Sequence, residues 1–312
     1  MSTQRESRPR VLYVVGAARS GSTVLQTVLG SHPQIEGVGE LGFLSRSGHV
    51  FEEYCACGEP ADVCPYWSEV RRVWARYGGP HDLAEYIALQ REFEGEKWRL
   101  KRLLRHRHRP SLRFQAYAQQ VRTLLQAIST VSGKRIVADT TKTPSRALVL
   151  SMIAGIDLRI VHLVRDGRGV AWSVKKGLRK DDRGGVQTDQ PPRSVLRTAA
   201  YWVVLNLQSA WVRTQLAPQK SVRIRYEDFM AQPKETLDRI GALLDCDFSE
   251  VAKALESEAT FPSGHAVAGN RLRMVGTVRL NPDKEWSQKM SAKDRMLFQA
   301  VAGALMWQYG YK

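Results

Sequence analysis

Two short stretches of the chain carry residue types suited to holding anions. The first is Gly16-Ala17-Ala18-Arg19-Ser20-Gly21-Ser22-Thr23. Its spacing, Gly16-x4-Gly21-Ser22-Thr23, follows an apolar β-branched run and opens a helical pattern. That is the layout of a phosphate loop, whose amides and helix N-terminus cradle phosphate oxygens. A nucleotide triphosphatase places Lys where this chain has Ser22. Arg19 supplies the cation from inside the loop instead. The loop therefore suits an anion but lacks the side chain that reaches a γ-phosphate. Its candidate contacts are Gly16, Ala18, Arg19, Ser20, Gly21, Ser22 and Thr23. The bland alternative is a Gly-rich turn with no ligand. The second stretch is VRDGRGVAWS, where Arg165 ends a strand-like run and Ser173 follows eight residues later. Strand ends of open α/β sheets bind ligands, and the planar fork of Arg makes bidentate bonds to phosphate. The alternative is an Arg165–Asp166 ion pair, with Ser173 an ordinary helix residue.

The four cysteines are unevenly placed: Cys55, Cys57 and Cys64 cluster in CACGEPADVC, and Cys246 stands alone. With no secretory signal, a disulfide framework is not expected. A zinc site takes four ligands, so the cluster would need a fourth, either Cys246 or a histidine. Reduced structural thiols, a metal site and a redox-dependent disulfide are the three readings. No motif of recognised metal spacing appears.

These residues need elements to position them. VLYVVG from Val11, RIVAD from Arg135, LRIVHLVRD and SVRIRYED read as four buried strands. IEGV adds a short strand-like run. Helical patterns lie between them. Val24, Leu25, Val28 and Leu29 share a face, stopped by Gly30 and Pro33. Others cover about 143–154, GVAWSVKK, PKETLDRIGALL with Pro in its first turn, and about 291–306. Strands alternating with helices give the α/β class with a central parallel sheet. Two segments interrupt the rhythm: a polar, helical insertion over about 45–134 and a Gly/Pro/charge-rich stretch over about 178–195, read as a mobile loop. There is no internal repeat or low-complexity linker, so one domain over residues 1–312 is expected.

The chain has 312 residues, 43% hydrophobic and 25% charged. That composition excludes a disordered chain, a collagen-like one and a disulfide miniprotein. No run approaches the ~18 apolar residues of a membrane span. The polar start leads into too short an apolar run for a signal peptide, so a cytoplasmic protein is expected. Lys and Arg number 47 against 31 Asp and Glu, a net charge of +16. A basic protein attracts anions, whether nucleic acid, acidic lipid or phosphorylated and sulfated small molecules. Eight of the cations, with no acid, lie between Lys97 and Arg113. That stretch reads as a solvated helix face with Trp98, Leu100, Leu103 and Leu104 partly buried, a wall recruiting an anionic acceptor, or a membrane-surface patch.

GAARSGST followed by VRDGRGVAWS resembles the PAPS-dependent sulfotransferases, which have a P-loop-like fold. LGSHPQIEGVGEL, VADTTKTPSRAL, RIRYEDFMAQPKETLDRI and GNRLR resemble further segments of that family in order, and CACG…CPYW resembles bacterial members. The likeness spans roughly residues 10–290. It implies transfer of the sulfuryl group from PAPS (3′-phosphoadenosine-5′-phosphosulfate) to a hydroxyl of a small-molecule, lipid or carbohydrate acceptor, releasing PAP, with no metal required. The first loop would hold the 5′-phosphosulfate, and Arg165 and Ser173 the 3′-phosphate. Tyr226 matches a tyrosine near the adenine. Gly269, Asn270 and Arg271 match a late loop over the nucleotide, with Arg273 the alternative to Arg271. Trp202 and Asn206 echo a W-x3-N pattern. Independently, two phosphate sites on one sheet edge ask for a ligand with two separated anionic groups, which PAPS has.

Sulfuryl transfer passes a small electrophile in line between two oxygens, so positioning and charge stabilisation dominate. The histidine base of cytosolic members has no counterpart, which turns attention to a carboxylate. Glu40 in GEL matches the family's acceptor-side glutamate and is the candidate base; Glu36 and His32 compete with it. Arg19 and Lys142 are the cations for the leaving oxygen. His162, in mid-strand, reads as a satisfied core residue. Two rivals stand beside this reading. A P-loop kinase or NTPase would use Asp139 for Mg²⁺ but needs Lys at position 22. A basic nucleic-acid-binding protein finds no supporting RNA-binding or helix-turn-helix pattern.

Overall fold

The structure, a computed structural model, describes residues 8–43, 53–95, 100–186 and 189–312. The five apolar runs form strands β1 (Arg10–Val15), β2 (Ile35–Gly39), β3 (Ile136–Lys142), β4 (Asp157–Val164) and β5 (Ser221–Arg225). They pair in parallel in the order β2-β3-β1-β4-β5. All five therefore end on one edge. β1 is central, and the chain order reverses across it, which is where open α/β sheets take ligands. Two short strands, β6 (Phe261–Pro262) and β7 (Thr277–Val278), pair antiparallel elsewhere.

Helices cover both faces. They are α1 (Ser22–Gly30), α2 (Pro65–Arg76), α3 (Leu83–Glu94), α4 (Leu100–Leu103), α5 (Arg105–His108), α6 (Leu112–Ser132), α7 (Pro144–Met152) and α8 (Gly167–Lys175). Then come α9 (Val195–Arg213), α10 (Tyr226–Ala231), α11 (Pro233–Leu244), α12 (Ser249–Glu256), α13 (Glu285–Lys289) and α14 (Ala292–Gln308). Alternation along β1 sorts the core. Val11, Tyr13 and Val15 pack with α2, α3, α6 and α7. Leu12 and Val14 pack with α1, α11 and α12. A third cluster joins α8, α9 and α14 around Trp202.

The insertion is helical as its pattern predicts; α2 to α6 lie between β2 and β3, which are neighbours in the sheet. Its start, residues 45–52, is outside the described residues, as are Lys97 and Trp98. It is bolted to the sheet by charge. Arg146 of α7, fully buried, donates from Nε to Asp139 Oδ2 of β3 at 2.7 Å and from Nη1 to Glu94 Oε1 of α3 at 2.5 Å. Tyr117 of α6 donates to the same Glu94 oxygen at 2.5 Å. In the basic stretch Leu100 and Leu103 are buried, while Lys101, Arg102, Arg105, Arg107 and Arg109 are exposed.

One boundary differs from expectation. The SVRIRYED strand stops at Arg225, and Tyr226 opens α10. Glu227 explains the turn: it accepts from the Asp166 amide (2.9 Å) and from the Tyr311 hydroxyl (2.7 Å), so YED is drawn toward the β4 end instead of extending the sheet.

Candidate active site

The loop Gly16–Gly21 leaves β1 and enters α1. Gly21 caps α1 at φ 87° with no side-chain cap, so the first amides of the helix keep their donors and its positive end. A Cβ on Gly21 would stand 2.3 Å from the Tyr226 ring. Only glycine lets that ring lie against the loop in this conformation. The Ser20 hydroxyl is buried and has no partner among the described residues. Ser22 is buried, Thr23 half-buried and Ala18 exposed. The Gly16 amide donates to the Lys142 carbonyl (3.2 Å), tying the loop to the end of β3.

Glu40 and Lys142, from the ends of β2 and β3, form an ion pair, and both are almost fully buried. Lys142 also donates to Thr140 O at 2.9 Å. Its own backbone is left-handed (φ 72°), as is that of Arg19 (φ 66°). Such conformations in non-glycine residues cluster at functional sites. Arg19 is near both Glu40 and Arg271. Burial pulls its guanidinium below its ordinary value, Glu40 raises it, and Arg271 lowers it again. Gly269 (φ 99°) places its Cα against Glu40; a Cβ there would lie 3.1 Å from Glu40 Oε1. Asn270 caps the following turn through Leu272 N (3.0 Å). Arg271 is exposed. Arg273 is buried and donates to Gly185 O and Tyr54 O, both at 3.1 Å. Arg271 is therefore the arginine of this pair placed near the loop.

The competing bases are engaged elsewhere. Glu36 pairs with Lys134 at 2.9 Å. His32 accepts from the Gln34 amide on Nδ1 (3.1 Å) and donates from Nε2 to Asp247 O (3.0 Å). Asp139, the Mg²⁺ candidate of the kinase reading, is consumed by Arg146 and Thr141.

Arg165 does not pair with Asp166, which instead caps α8 and binds Arg168. Its partner is Asp283, Nη2 to Oδ2 at 2.9 Å. It also donates to Arg19 O (3.0 Å) and lies 4.7 Å over the Tyr226 ring. Burial alone would raise the Asp283 carboxyl; the hydrogen bond and charge of Arg165 outweigh it and hold the group below the usual carboxylate range. The Asp283 amide donates to the Tyr226 hydroxyl at 3.3 Å. Ser173 sits two turns into α8, half-buried.

The W-x3-N pair acquires a role. On α9, Asn206 Nδ2 donates to Trp202 O (2.8 Å), and its Oδ1 faces His162 Nε2 (3.0 Å). The Trp202 indole donates to the backbone carbonyl of Arg165 (3.2 Å). α9 thus positions the strand end that carries Arg165. His162 is buried in the core as its place in β4 predicts, but only its Nε2 has a partner; Nδ1 has none among the described residues.

Sequence reasoning missed Asp283 and Gln190. Gln190 accepts from Arg19 Nη2 at 2.7 Å, so the 178–195 stretch touches the loop. That stretch is internally bridged, Leu178 with Gln190 and Asp181 with Val186; residues 187 and 188 are outside the described residues. Acidic and amide side chains with no motif around them give no signal. The cysteine cluster gains its fourth neighbour from His265, while Cys246 lies by Gln34 and Arg135.

Comparison with known proteins accords with this geometry. Residues 10–250 match the model of the sulfotransferase family. No curated protein matches the chain. Among solved structures, the sulfotransferase domain of the Synechococcus PCC 7002 olefin synthase is 18% identical with a TM-score of 0.51, over 100% of this chain and 98% of that one. The sulfotransferase domain of the curacin biosynthetic pathway is 14% identical at TM-score 0.49, over 97% and 98%. A sulfotransferase from Mycobacterium avium is 11% identical at TM-score 0.48, over 98% and 78%. With the family model matched along residues 10–250, and a sheet edge that gathers an uncapped helix N-terminus, a strand-end arginine and a buried Glu–Lys pair, the chain belongs to the sulfotransferase family.

Proposed function

We propose that this chain transfers the sulfuryl group of PAPS to a hydroxyl of a small-molecule, lipid or carbohydrate acceptor. The observation that carries the reading is the convergence of Arg19, Glu40 and Lys142 at the open end of α1. The residues fit such a donor. Gly16, Ala18, Ser20, Gly21, Ser22 and Thr23 offer amides and hydroxyls to the 5′-phosphosulfate, and the orphaned Ser20 hydroxyl would gain a partner. Arg165 and Ser173 would take the 3′-phosphate, with Tyr226 along the adenine and Gly269, Asn270 and Arg271 closing over it.

In the reaction the acceptor oxygen forms a bond to sulfur as the bond to the phosphate oxygen breaks. Glu40 takes the hydroxyl proton, and its ion pair with Lys142 holds the carboxylate in place. Arg19 and Lys142 then face the oxygen on which negative charge grows. Cations fixed there in advance stabilise the transition state more than the ground state.

A thermal-shift comparison of PAP, ATP and AMP at equal concentration tests the donor assignment, because a ligand at free concentration L stabilises the fold it binds by RT ln(1 + L/Kd), so the tighter binder shifts the midpoint more. PAP should raise the midpoint most. Equal or greater stabilisation by ATP would overturn the assignment.

A further inference from the structure

The proposed sulfuryl transfer makes no use of Cys55, Cys57, Cys64 and His265. Cys55 and Cys57 lie on a tight hairpin: the Cys55 amide donates to Glu59 O (2.8 Å), and Gly58 N to Cys55 O (3.0 Å). Cys64 caps α2, where Pro65 starts the helix. His265 arrives from 201 residues further along the chain than Cys64. The two segments are joined beside the cluster by Ala56 N to Ala266 O (2.9 Å).

The ligating atoms all lie within 4.8 Å of one another. Cys57 Sγ to Cys64 Sγ is 3.6 Å, Cys55 Sγ to His265 Nδ1 is 3.6 Å, and Cys64 Sγ to His265 Nδ1 is 3.5 Å. Tetrahedral zinc has bonds of about 2.3 Å to sulfur and about 2.0–2.1 Å to nitrogen, so its edges are about 3.8 Å for sulfur to sulfur and about 3.5 Å for sulfur to nitrogen. Three of the six edges already have about those lengths, and all six lie within 4.8 Å. Thiols are weak hydrogen-bond donors and give little reason of their own to gather three around one imidazole. The imidazole is also held in place. It stacks on Tyr66 with centroids 4.7 Å apart and planes 6° apart, and the Trp67 indole donates to His265 O at 2.8 Å. Metal-ligating histidines are oriented by such surrounding contacts. Cys55 and Cys64 are buried and Cys57 is exposed, which leaves an entry side.

We propose that Cys55, Cys57, Cys64 and His265 bind one Zn²⁺ in a closed structural site. Three thiolates and an imidazole select zinc over the oxygen-seeking cations. Four protein ligands leave no open position, so the ion holds structure instead of activating water. It ties the hairpin and α2 to the segment that follows His265. In that segment Val267 accepts from the Glu40 amide (2.8 Å) and donates to Val38 O (3.0 Å). The ion therefore anchors the backbone on which Glu40 sits. That consequence rests on the role of Glu40 proposed above; the zinc site itself does not.

The test is metal content of the full chain purified without chelators under reducing conditions. One zinc per chain is expected, released in step with three thiols when an organomercurial titrates the cysteines. Cys57→Ser, at an exposed position, should lower zinc well below one equivalent with the fold retained by circular dichroism. Cys246→Ser should keep the zinc. Cobalt substitution of the unaltered chain gives a readout that needs no variant: intense visible bands and a thiolate charge-transfer band of a tetrahedral site. A folded chain with negligible zinc that takes up neither zinc nor cobalt would overturn the proposal. So would a Cys57–Cys64 disulfide in the freshly isolated protein, because it removes two ligands. PAP binding and Glu40→Gln activity are measured separately, so failure of the transferase reading leaves the zinc result standing.

Discussion

Replacing Arg146 by Met should destabilise the chain severely, and the structure sets the size. Arg146 has no exposed surface and is shared by two buried carboxylates, Asp139 and Glu94. Met keeps much of the stem volume and removes the charge. Removing one partner of a buried pair costs about 3–5 kcal/mol, because the charge left behind is uncompensated. Here two carboxylates are left, but each keeps a neutral donor: Thr141 on Asp139 and Tyr117 on Glu94. The expected loss is therefore about 3–5 kcal/mol and not double that. Its pH dependence follows from the same geometry. Burial already pushes the Glu94 carboxyl up, with Arg146 pulling it down. Without Arg146 the folded-state pKa rises further above its unfolded value, and such an acid costs stability as pH climbs past the unfolded value. The deficit should thus be largest near neutrality and shrink toward pH 5. Urea denaturation at both pH values, followed by tryptophan fluorescence, measures it. The triple variant Arg146→Met/Asp139→Asn/Glu94→Gln should recover most of the loss. A deficit under about 1 kcal/mol at neutral pH, or one that grows on acidification, would refute the buried-charge account.

Glu40→Gln should keep PAP affinity and lower turnover with an alcohol acceptor by about 10²–10⁴-fold; full activity would remove Glu40 as the base. Arg165→Ala should weaken PAP binding at least about tenfold, since charge-assisted hydrogen bonds are worth roughly 1.5–3 kcal/mol; unchanged affinity by calorimetry ends that assignment. Asp283→Asn should tighten PAP binding, because the ligand no longer competes with a carboxylate for Arg165; weaker binding would show that Asp283 only supports the site. Burial drives His162 down to about 3, so the folded state keeps it neutral while the unfolded chain protonates near its ordinary value. That stability is complete above the unfolded pKa and is lost as pH falls toward the folded one, by up to about 1.4 kcal/mol per pH unit. His162→Gln should flatten the acid limb of the stability curve, and an unaltered limb would contradict the linkage.

The elements that carry the site were legible because their signals are local. Continuous β-branched runs mark β1, β3 and β4, and Gly21 before an apolar helical face marks the start of α1. Short-range spacing likewise places Arg165 at a strand end and Ser173 on the helix after it. What stayed hidden depends on chain segments far apart. Asp283 meets Arg165 across 118 residues, and His265 meets the cysteines across about two hundred; no local pattern encodes either. The W-x3-N pair was visible but mute, since its meaning is a bond to the carbonyl of Arg165. Tyr226 falls inside the SVRIRYED strand pattern yet opens a helix, because Glu227, whose contacts lie on the residue after β4 and near the C-terminus, decides where the strand stops.

The Asp283–Arg165 pair also bears on what the site ignores. A chain of net charge +16 draws chloride, sulfate and phosphate from solution. A carboxylate tethered beside the guanidinium competes at an effective concentration of millimolar order or above. A free monoanion in dilute solution loses that contest. A nucleotide held at a second place, the loop at the end of β1, does not, because its own second group is tethered too once the first is seated. On the proposed function, Asp283 beside Arg165 would set a threshold that rewards two-point attachment over one, discriminating by the number of linked charges instead of their strength.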